Sequence, residues 1–377
     1  MKKYIIFIIS ILFIPINIYA LDINKSVNYV LMDYDSGVVL DSNNMDEKKS
    51  VASLTKMALQ VIILEDIEKG KHSFKDKVIV SENAANMGGS QIYLAKGEVM
   101  SIYDLFRGLT MASANDSAVA LAEEFAGSED EMVKRMNRLA KRLNLKNTSF
   151  KNVTGLDQEG HYSSAYDLSI IAKELIKHKK IFHFTTMYEG YLRENTPNKF
   201  WLVNTNKLIK RYNGVDGLKT GHTDNSKYTS TITAKRNDLR LIVTVLNEED
   251  IASRNNDTIK LLDYGFNNYK SKVIKRSNKP IKKIKLNHSN RNYLNIYLKE
   301  DIKVLNKRSD NNKYKVKYYI DKYKFPLKKN SNIGYYDLIY DKKVIKKDYL
   351  ICKDNIYKLS ILDIFINNIM RTINGKI

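Results

Sequence analysis

Hydrophobic and polar positions change period several times along the chain. "VNYVLMDYDSGVVLDSN", residues 27–43, alternates on both sides of Asp35-Ser36-Gly37, which predicts two strands and a turn. A helix-period run follows from Ser53 to about Glu68. "SENAANMGGSQIYLAKGEVM" is polar and contains glycine, so a long loop is expected there. "IYDLFRGLTMASANDSAVALAEEFAG" carries two apolar helical segments that break between Ala112 and Asn115. "SEDEMVKRMNRLAKRLNL" opens on Ser128 as an N-cap, with acidic residues in the first turn, where the helix dipole favours them. "SAYDLSIIAKELIKH" sets Leu168, Ile171, Ala172 and Leu175 on one helical face. "STITAKRNDLRLIVTVLN" reads as a hairpin turning at Arg236 to Asp238, and "ASRNNDTIKLLDYGFNNY" as a helix returning to it. Strands on both sides of a helical block predict an α+β fold, one antiparallel sheet with helices on its faces.

Near Ser271 the pattern shifts to short Lys/Tyr/Ile-rich alternating segments such as "KIKLN", "YLNIYLK" and "KVKYYIDKY", which predict a small β-rich domain over residues 271–353. From Asp354 it shifts again. Ile361, Leu362, Phe365, Ile369 and Ile373 alternate with polar Asp363, Asn367, Asn368, Arg371 and Thr372, an amphipathic helix over 354–377. Polar interruptions exclude a membrane span, leaving surface attachment to a membrane or packing on its own domain.

Charge sharpens the division. Residues 271–377 hold 27 Lys and Arg against 9 Asp and Glu, so this part carries +18 of the chain's +21 and the first 270 residues carry +3. Such asymmetry suits an anionic partner. The N-terminus selects among partners: "MKKYIIFIISILFIPINIYA" has two lysines, an apolar run and a small residue at Ala20, the pattern of a signal peptide over 1–20 cleaved after Ala20. An exported chain, in the periplasm or on the outer face of the cell membrane, meets wall polymer and anionic lipid rather than nucleic acid. Cys352 is the only cysteine, so no intrachain disulfide forms, and it is expected as a small buried hydrophobe.

Three clusters carry chemistry within residues 21–270. Ser53 and Lys56 stand at i and i+3 of a helix start and so share a face. A hydroxyl is a poor nucleophile at neutral pH and needs a base in hydrogen-bond reach. Lys56 fills that role if burial or a neighbouring cation lowers its pKa. Ser113-Ala114-Asn115 falls at the break between two helices, and Lys219-Thr220-Gly221 directly before a strand pattern. Taken singly each also suits capping, turns or a solvated lysine; their order within one domain is what those readings leave unexplained.

This set resembles the penicillin-recognising serine acyltransferases, for which S-x-x-K, an S-x-N element and K-T-G are characteristic. Within that group the chain is similar to the low-molecular-mass D-alanyl-D-alanine carboxypeptidases, through "VASLTKM", "GGSQIYLAKGE", "LTMASANDSAVALAE", "NVTGLDQEGHYSSAYDLSIIA", "FWLVNTNKLI" and "GVDGLKTGHT" over about Val27 to Phe266. The resemblance implies a β-lactamase/transpeptidase-like catalytic domain with a helical subdomain, followed by the small β-rich domain and an amphipathic anchor. It implies Ser53 as nucleophile, Lys56 as its base, Ser113 as proton relay to the leaving amine, and Asn115 as a holder of the peptide. Lys219 and Thr220 would bind the terminal carboxylate with Gly221 beside them, and Arg254 would add a cation. The backbone N–H of His222 would join that of Ser53 around the oxyanion. The implied reaction removes D-Ala from peptidoglycan stem peptides through an acyl-enzyme that β-lactams also form, without metal or cofactor. Val51 stands where the family has proline, and "NVTG" replaces "NPTG" or "NPHG"; neither touches a reacting group.

Three rivals follow from the same residues. A β-lactamase needs a carboxylate to activate the deacylating water, and no E-x-x-x-N loop follows Asn115. An endopeptidase on wall cross-links generally lacks the extra β-domain. A non-catalytic wall scaffold would not form an adduct at Ser53.

Overall fold

The computed structural model describes residue 23 and residues 27–373. The signal-peptide reading therefore lies outside the described residues. Strands β1 (Asn28–Asp33), β2 (Val39–Asn43), β3 (Val215–Thr223), β4 (Lys227–Arg236) and β5 (Leu239–Glu248) form one antiparallel sheet of order β2-β1-β5-β4-β3. The N-terminal hairpin thus zips onto β5, with Asn28 opposite Leu246 and Asp33 opposite Leu241, as the two-ended strand pattern predicts.

Alternation explains why both faces are covered. Val30, Met32, Ile242 and Leu246 belong to a core shared with the helical block. Tyr29, Leu31, Leu241, Val243 and Val245 face the other way, onto Leu261, Leu262 and Phe266. The helical block comprises α1 (Lys56–Glu68), α2 (Asn115–Ala126), α3 (Glu129–Arg142) and α4 (Ala165–Lys177); α5 (Ile251–Asn268) covers the opposite face. In α1 nearly every side chain from Lys56 to Ile67 is buried, which is why the helix is apolar all round. Ser128 caps α3 through its side chain, accepting from the Glu131 N–H. Residues 81–100, expected as loop, also contain a short helix, Glu82–Ala85, and end in the two-stranded pairing of Lys77–Ile79 with Val99–Ser101.

A second core begins where α5 ends and the strand Tyr269–Lys275 starts, two residues before the change in composition. A five-stranded antiparallel sheet and a two-stranded one enclose Leu294, Ile296, Leu298, Tyr336, Leu338, Leu350 and Cys352. Cys352 is buried, and its thiol donates to the Lys328 carbonyl at 3.2 Å. Helix α6 (Ile361–Ile373) then leaves its apolar side open: Ile361, Leu362, Phe365, Ile366, Ile369 and Met370 are 42–88% exposed. No described helix is long and apolar enough to cross a membrane.

Candidate active site

Ser53 lies in a single 3₁₀ turn, Ala52–Thr55, that runs into α1. Ala52 has φ +46, a left-handed conformation unfavourable for alanine. Two glycines let other backbone segments close on this turn. A Cβ on Gly155, itself at φ +83, would sit 1.9 Å from the Ala52 carbonyl oxygen, and one on Gly221 would sit 3.0 Å from Ser53 N. The edge strand β3 therefore runs directly past the Ser53 N–H, as an oxyanion site requires.

Lys56 is fully buried. Its Nζ lies 2.8 Å from Ser53 Oγ, 2.7 Å from Asn115 Oδ1 and 2.6 Å from the Thr154 carbonyl. The Asn115 amide is oriented by its Nδ2 donating to the Gly88 carbonyl at 2.7 Å, so the oxygen is the atom aimed at Lys56. Asn115 Oδ1 and Thr154 O can only accept. A neutral amine has two N–H donors and one lone pair; with both donors committed to those acceptors, the lone pair faces the Ser53 hydroxyl. Burial, and then the cation Lys219, push the Lys56 pKa well below the usual amine value, while Asp116 opposes the shift. Asn115 and Lys56 are 59 residues apart in the chain, yet the fold joins them in one hydrogen bond.

The helix Ile102–Arg107 passes into a π turn, Gly108–Ala112, and ends at Ser113 with φ +62. Irregular turns of this kind recur at functional sites. Ser113 Oγ is buried without a hydrogen-bond partner among the described residues. The following Asn115 N–H donates to Ser90 O at 2.6 Å, and the Asp116 carboxylate accepts from the N–H groups of Ile92 and Leu94. These bonds make residues 88–94 a wall of the cleft, a role that polar composition alone did not reveal.

Lys219 is buried, and its Nζ donates to the Thr220 carbonyl at 2.8 Å. Burial, and then Arg254, lower its pKa to about 7. Arg254, on α5, is itself buried and lowered to about 10, chiefly by desolvation. Lys219 thus disfavours the charged form of Lys56, and Arg254 that of Lys219, and an anionic ligand would relieve that repulsion. The Thr220 hydroxyl donates to Thr205 Oγ1 at 2.9 Å, and Thr205 was not singled out from sequence. The His222 ring is exposed and rests on Tyr228, with ring centroids 4.2 Å apart.

Two further supports escaped the sequence reading. His161 Nδ1 accepts from the Lys151 N–H at 3.1 Å, so its Nε2 carries the proton and donates to Thr55 Oγ1 at 2.8 Å. Burial lowers its pKa to about 4. Asp157 joins Ser50 at 2.7 Å and Thr223 at 2.9 Å, tying the turn before Ser53 to the end of β3. Outside the cleft Glu65, Glu174 and His178 bring ligand-type atoms within 4.8 Å of one another. Histidine spacing did not reveal this group, and Arg142 and Lys69 already pair with Glu65, and Lys177 with Glu174.

A hydroxyl in hydrogen-bond reach of a buried amine whose pKa is lowered, beside an edge strand and a cationic pocket, is an arrangement suited to acyl transfer through a serine ester. Residues 19–250 match the family model described as D-alanyl-D-alanine carboxypeptidase, and residues 269–358 match the penicillin-binding protein 5 C-terminal domain. The chain is 43% identical over 340 residues to D-alanyl-D-alanine carboxypeptidase DacF of Bacillus subtilis, covering 89% of this chain and 87% of that protein. It resembles the crystal structure of penicillin-binding protein 5 from Haemophilus influenzae with TM-score 0.69 and 29% identity, over 88% of this chain and 97% of that one. Penicillin-binding protein 6B from Escherichia coli matches with TM-score 0.68 and 28% identity, over 89% and 98%. The chain belongs to the D-alanyl-D-alanine carboxypeptidase family.

Proposed function

We propose that the chain hydrolyses the terminal D-Ala-D-Ala bond of peptidoglycan stem peptides. The observation that carries this reading is Lys56 Nζ held among Ser53 Oγ, Asn115 Oδ1 and Thr154 O. The substrate carboxylate pairs with Lys219, Thr220 and Arg254, which fixes the scissile carbonyl over Ser53. Ser53 Oγ attacks the carbonyl carbon as its proton passes to Lys56 Nζ. The oxyanion is held by the N–H groups of Ser53 and His222. Collapse breaks the C–N bond, and a proton delivered through Ser113 lets D-Ala leave as the amine. Water, deprotonated in turn, cleaves the ester. Asn115 positions both Lys56 and the peptide, and Gly221 lets the substrate lie along β3.

β-Lactams acylate Ser53 through the same steps. A β-lactamase reading gains no support, because the carboxylates beside the cleft are committed: Asp116 to Ile92 and Leu94, Asp157 to Ser50 and Thr223. The chain works outside the cytoplasm, with the open apolar side of α6 and the basic second domain resting on an anionic membrane surface. Binding to vesicles with anionic lipid weakens as salt rises; equal binding to neutral vesicles would remove the electrostatic part. The deciding experiment is intact mass after benzylpenicillin, with Ser53→Ala beside it, together with D-Ala release from a peptide ending in Lys-D-Ala-D-Ala. An adduct on the parent alone with D-Ala released supports the reading. Neither adduct nor release overturns it and leaves a non-catalytic wall scaffold, and rapid β-lactam hydrolysis without D-Ala release points to a β-lactamase.

A further inference from the structure

The chain's single tryptophan is on the surface. Trp201 is 58% exposed and stands opposite Tyr191, 43% exposed, in the hairpin of Glu189–Leu192 and Phe200–Val203. A single exposed aromatic residue is common; here two stand side by side across one short hairpin, and a contiguous exposed patch is the feature that marks a binding surface. We propose that this Trp201–Tyr191 face is a sugar-stacking subsite, occupied by the pyranose ring that carries the stem peptide. The inference rests on the carboxypeptidase reading above.

Position supports it first. Beyond Val203 the ladder continues, with the Asn204 N–H donating to the Tyr188 carbonyl at 2.7 Å. Trp201 and Val203 share one face of the strand while Leu202 is buried on the other; past Val203 the chain bends at Thr205, whose side chain is exposed between buried Asn204 and Asn206. Thr205, just past the end of this strand, accepts from the Thr220 hydroxyl at 2.9 Å, beside Lys219. Trp201 is four residues from Thr205, a separation of at most about 13 Å. A five-residue stem whose carboxylate lies at Lys219 and Thr220 extends at most about 17 Å. The sugar end of a bound stem is therefore within reach of the indole.

Chemistry and rigidity support it second. Lys199 Nζ lies 4.0 Å from the Tyr191 ring centroid, and Trp201 Nε1 donates to Glu189 Oε2 at 3.2 Å. Lys199 thus covers one face of the Tyr191 ring, and the Trp201 indole, with that ammonium on one side and the Glu189 carboxylate at its N–H, is the surface left for a ring with apolar C–H groups on its face and hydroxyls at its edge. It is far smaller than the ~800 Å² each partner buries in a standard protein interface. The hairpin is also clamped. Arg107 donates to the Tyr191 carbonyl at 3.1 Å, and Arg193 donates to the carbonyls of Ile92 and Tyr93 and to Glu98. The rings are thus presented on a scaffold fixed to the cleft wall.

The test uses the full chain and two probes, a disaccharide-pentapeptide and the free pentapeptide of the same sequence. In Ser53→Ala, which binds without turnover, the disaccharide-pentapeptide changes Trp201 fluorescence and the free peptide does not. In the active enzyme, kcat/KM for D-Ala release favours the sugar-bearing probe about tenfold, ~1.4 kcal/mol. Trp201→Ala brings that ratio toward one through KM, and Trp201→Phe retains most of it, which separates stacking from a loss of folding. A ratio of one in the parent, or a preference unchanged in Trp201→Ala, overturns the subsite. Absence of D-Ala release from either probe would instead overturn the carboxypeptidase reading on which it depends.

Discussion

Replacing Gly155 by alanine tests whether backbone crowding sets the nucleophile. Gly155 has φ +83, and a Cβ there would lie 1.9 Å from the Ala52 carbonyl oxygen and 2.3 Å from the Ala52 carbonyl carbon. To reach the 3.4 Å at which ordinary contact begins, the Ala52–Ser53 peptide must retreat by about 1.5 Å. A misplacement of ~1 Å at a reacting group lowers rate by about 100-fold, or ~2.7 kcal/mol in barrier. The left-handed backbone adds a separate penalty of about 1 kcal/mol in stability. Gly127 isolates that second effect, because it also has φ +83 but nothing lies within 4 Å of its Cβ position. Both Gly155→Ala and Gly127→Ala should therefore lose a few degrees of Tm. Only Gly155→Ala should slow acylation by benzylpenicillin, measured as the second-order rate of adduct formation by intact mass. Acylation within about threefold of Gly127→Ala would refute the claim that Gly155 holds Ser53 in place.

Lys56→Met should lower kcat/KM for D-Ala release by about 10³-fold, the scale of general-base catalysis, and a residual activity above one tenth would assign the base elsewhere. Lys219→Met removes the cation that helps depress Lys56, so the acid limb of benzylpenicillin inactivation should move to higher pH; an unmoved limb would deny the coupling. His161 is held at about 4 when folded against an ordinary 6.5. The unfolded chain binds the extra proton between those values, so stability is intact above about 6.5 and is lost as pH falls toward 4, by up to about 3 kcal/mol. His161→Gln should flatten that part of a urea-midpoint profile, and an equally steep profile would place the acid sensitivity on other groups.

Much of the frame was legible in the chain because period and punctuation are local. The Asp35-Ser36-Gly37 turn, the break near Ala112–Asn115, the Ser128 cap and the hairpin at Arg236–Asp238 each depend on a few neighbouring residues. The edges were less legible. Residues 81–100 were expected as loop, yet they hold a short helix and end in a strand whose partner, Lys77–Ile79, lies on the far side of the loop. Thr205 gave no signal because its hydroxyl acts on Thr220, 15 residues away. Glu65, Glu174 and His178 meet only because α1 packs beside α4.

The sequence by itself determined the α+β plan, the basic second domain, the amphipathic end and the spacing that puts Ser53 and Lys56 on one face. Those are properties of composition and of residues a few positions apart. The tertiary structure alone decided that Lys56 is buried, that its two other partners are Asn115 and the Thr154 carbonyl, and that Gly155 and Gly221 press on the nucleophile's turn. It also decided that Trp201 faces water and that the apolar side of α6 is left uncovered. Burial and charge crowding arise only when segments as far apart as Lys56 and Thr154, 98 residues along the chain, exclude water together. Desolvation then lowers the pKa of an ordinary lysine, as the proposed base requires, and no local pattern records it.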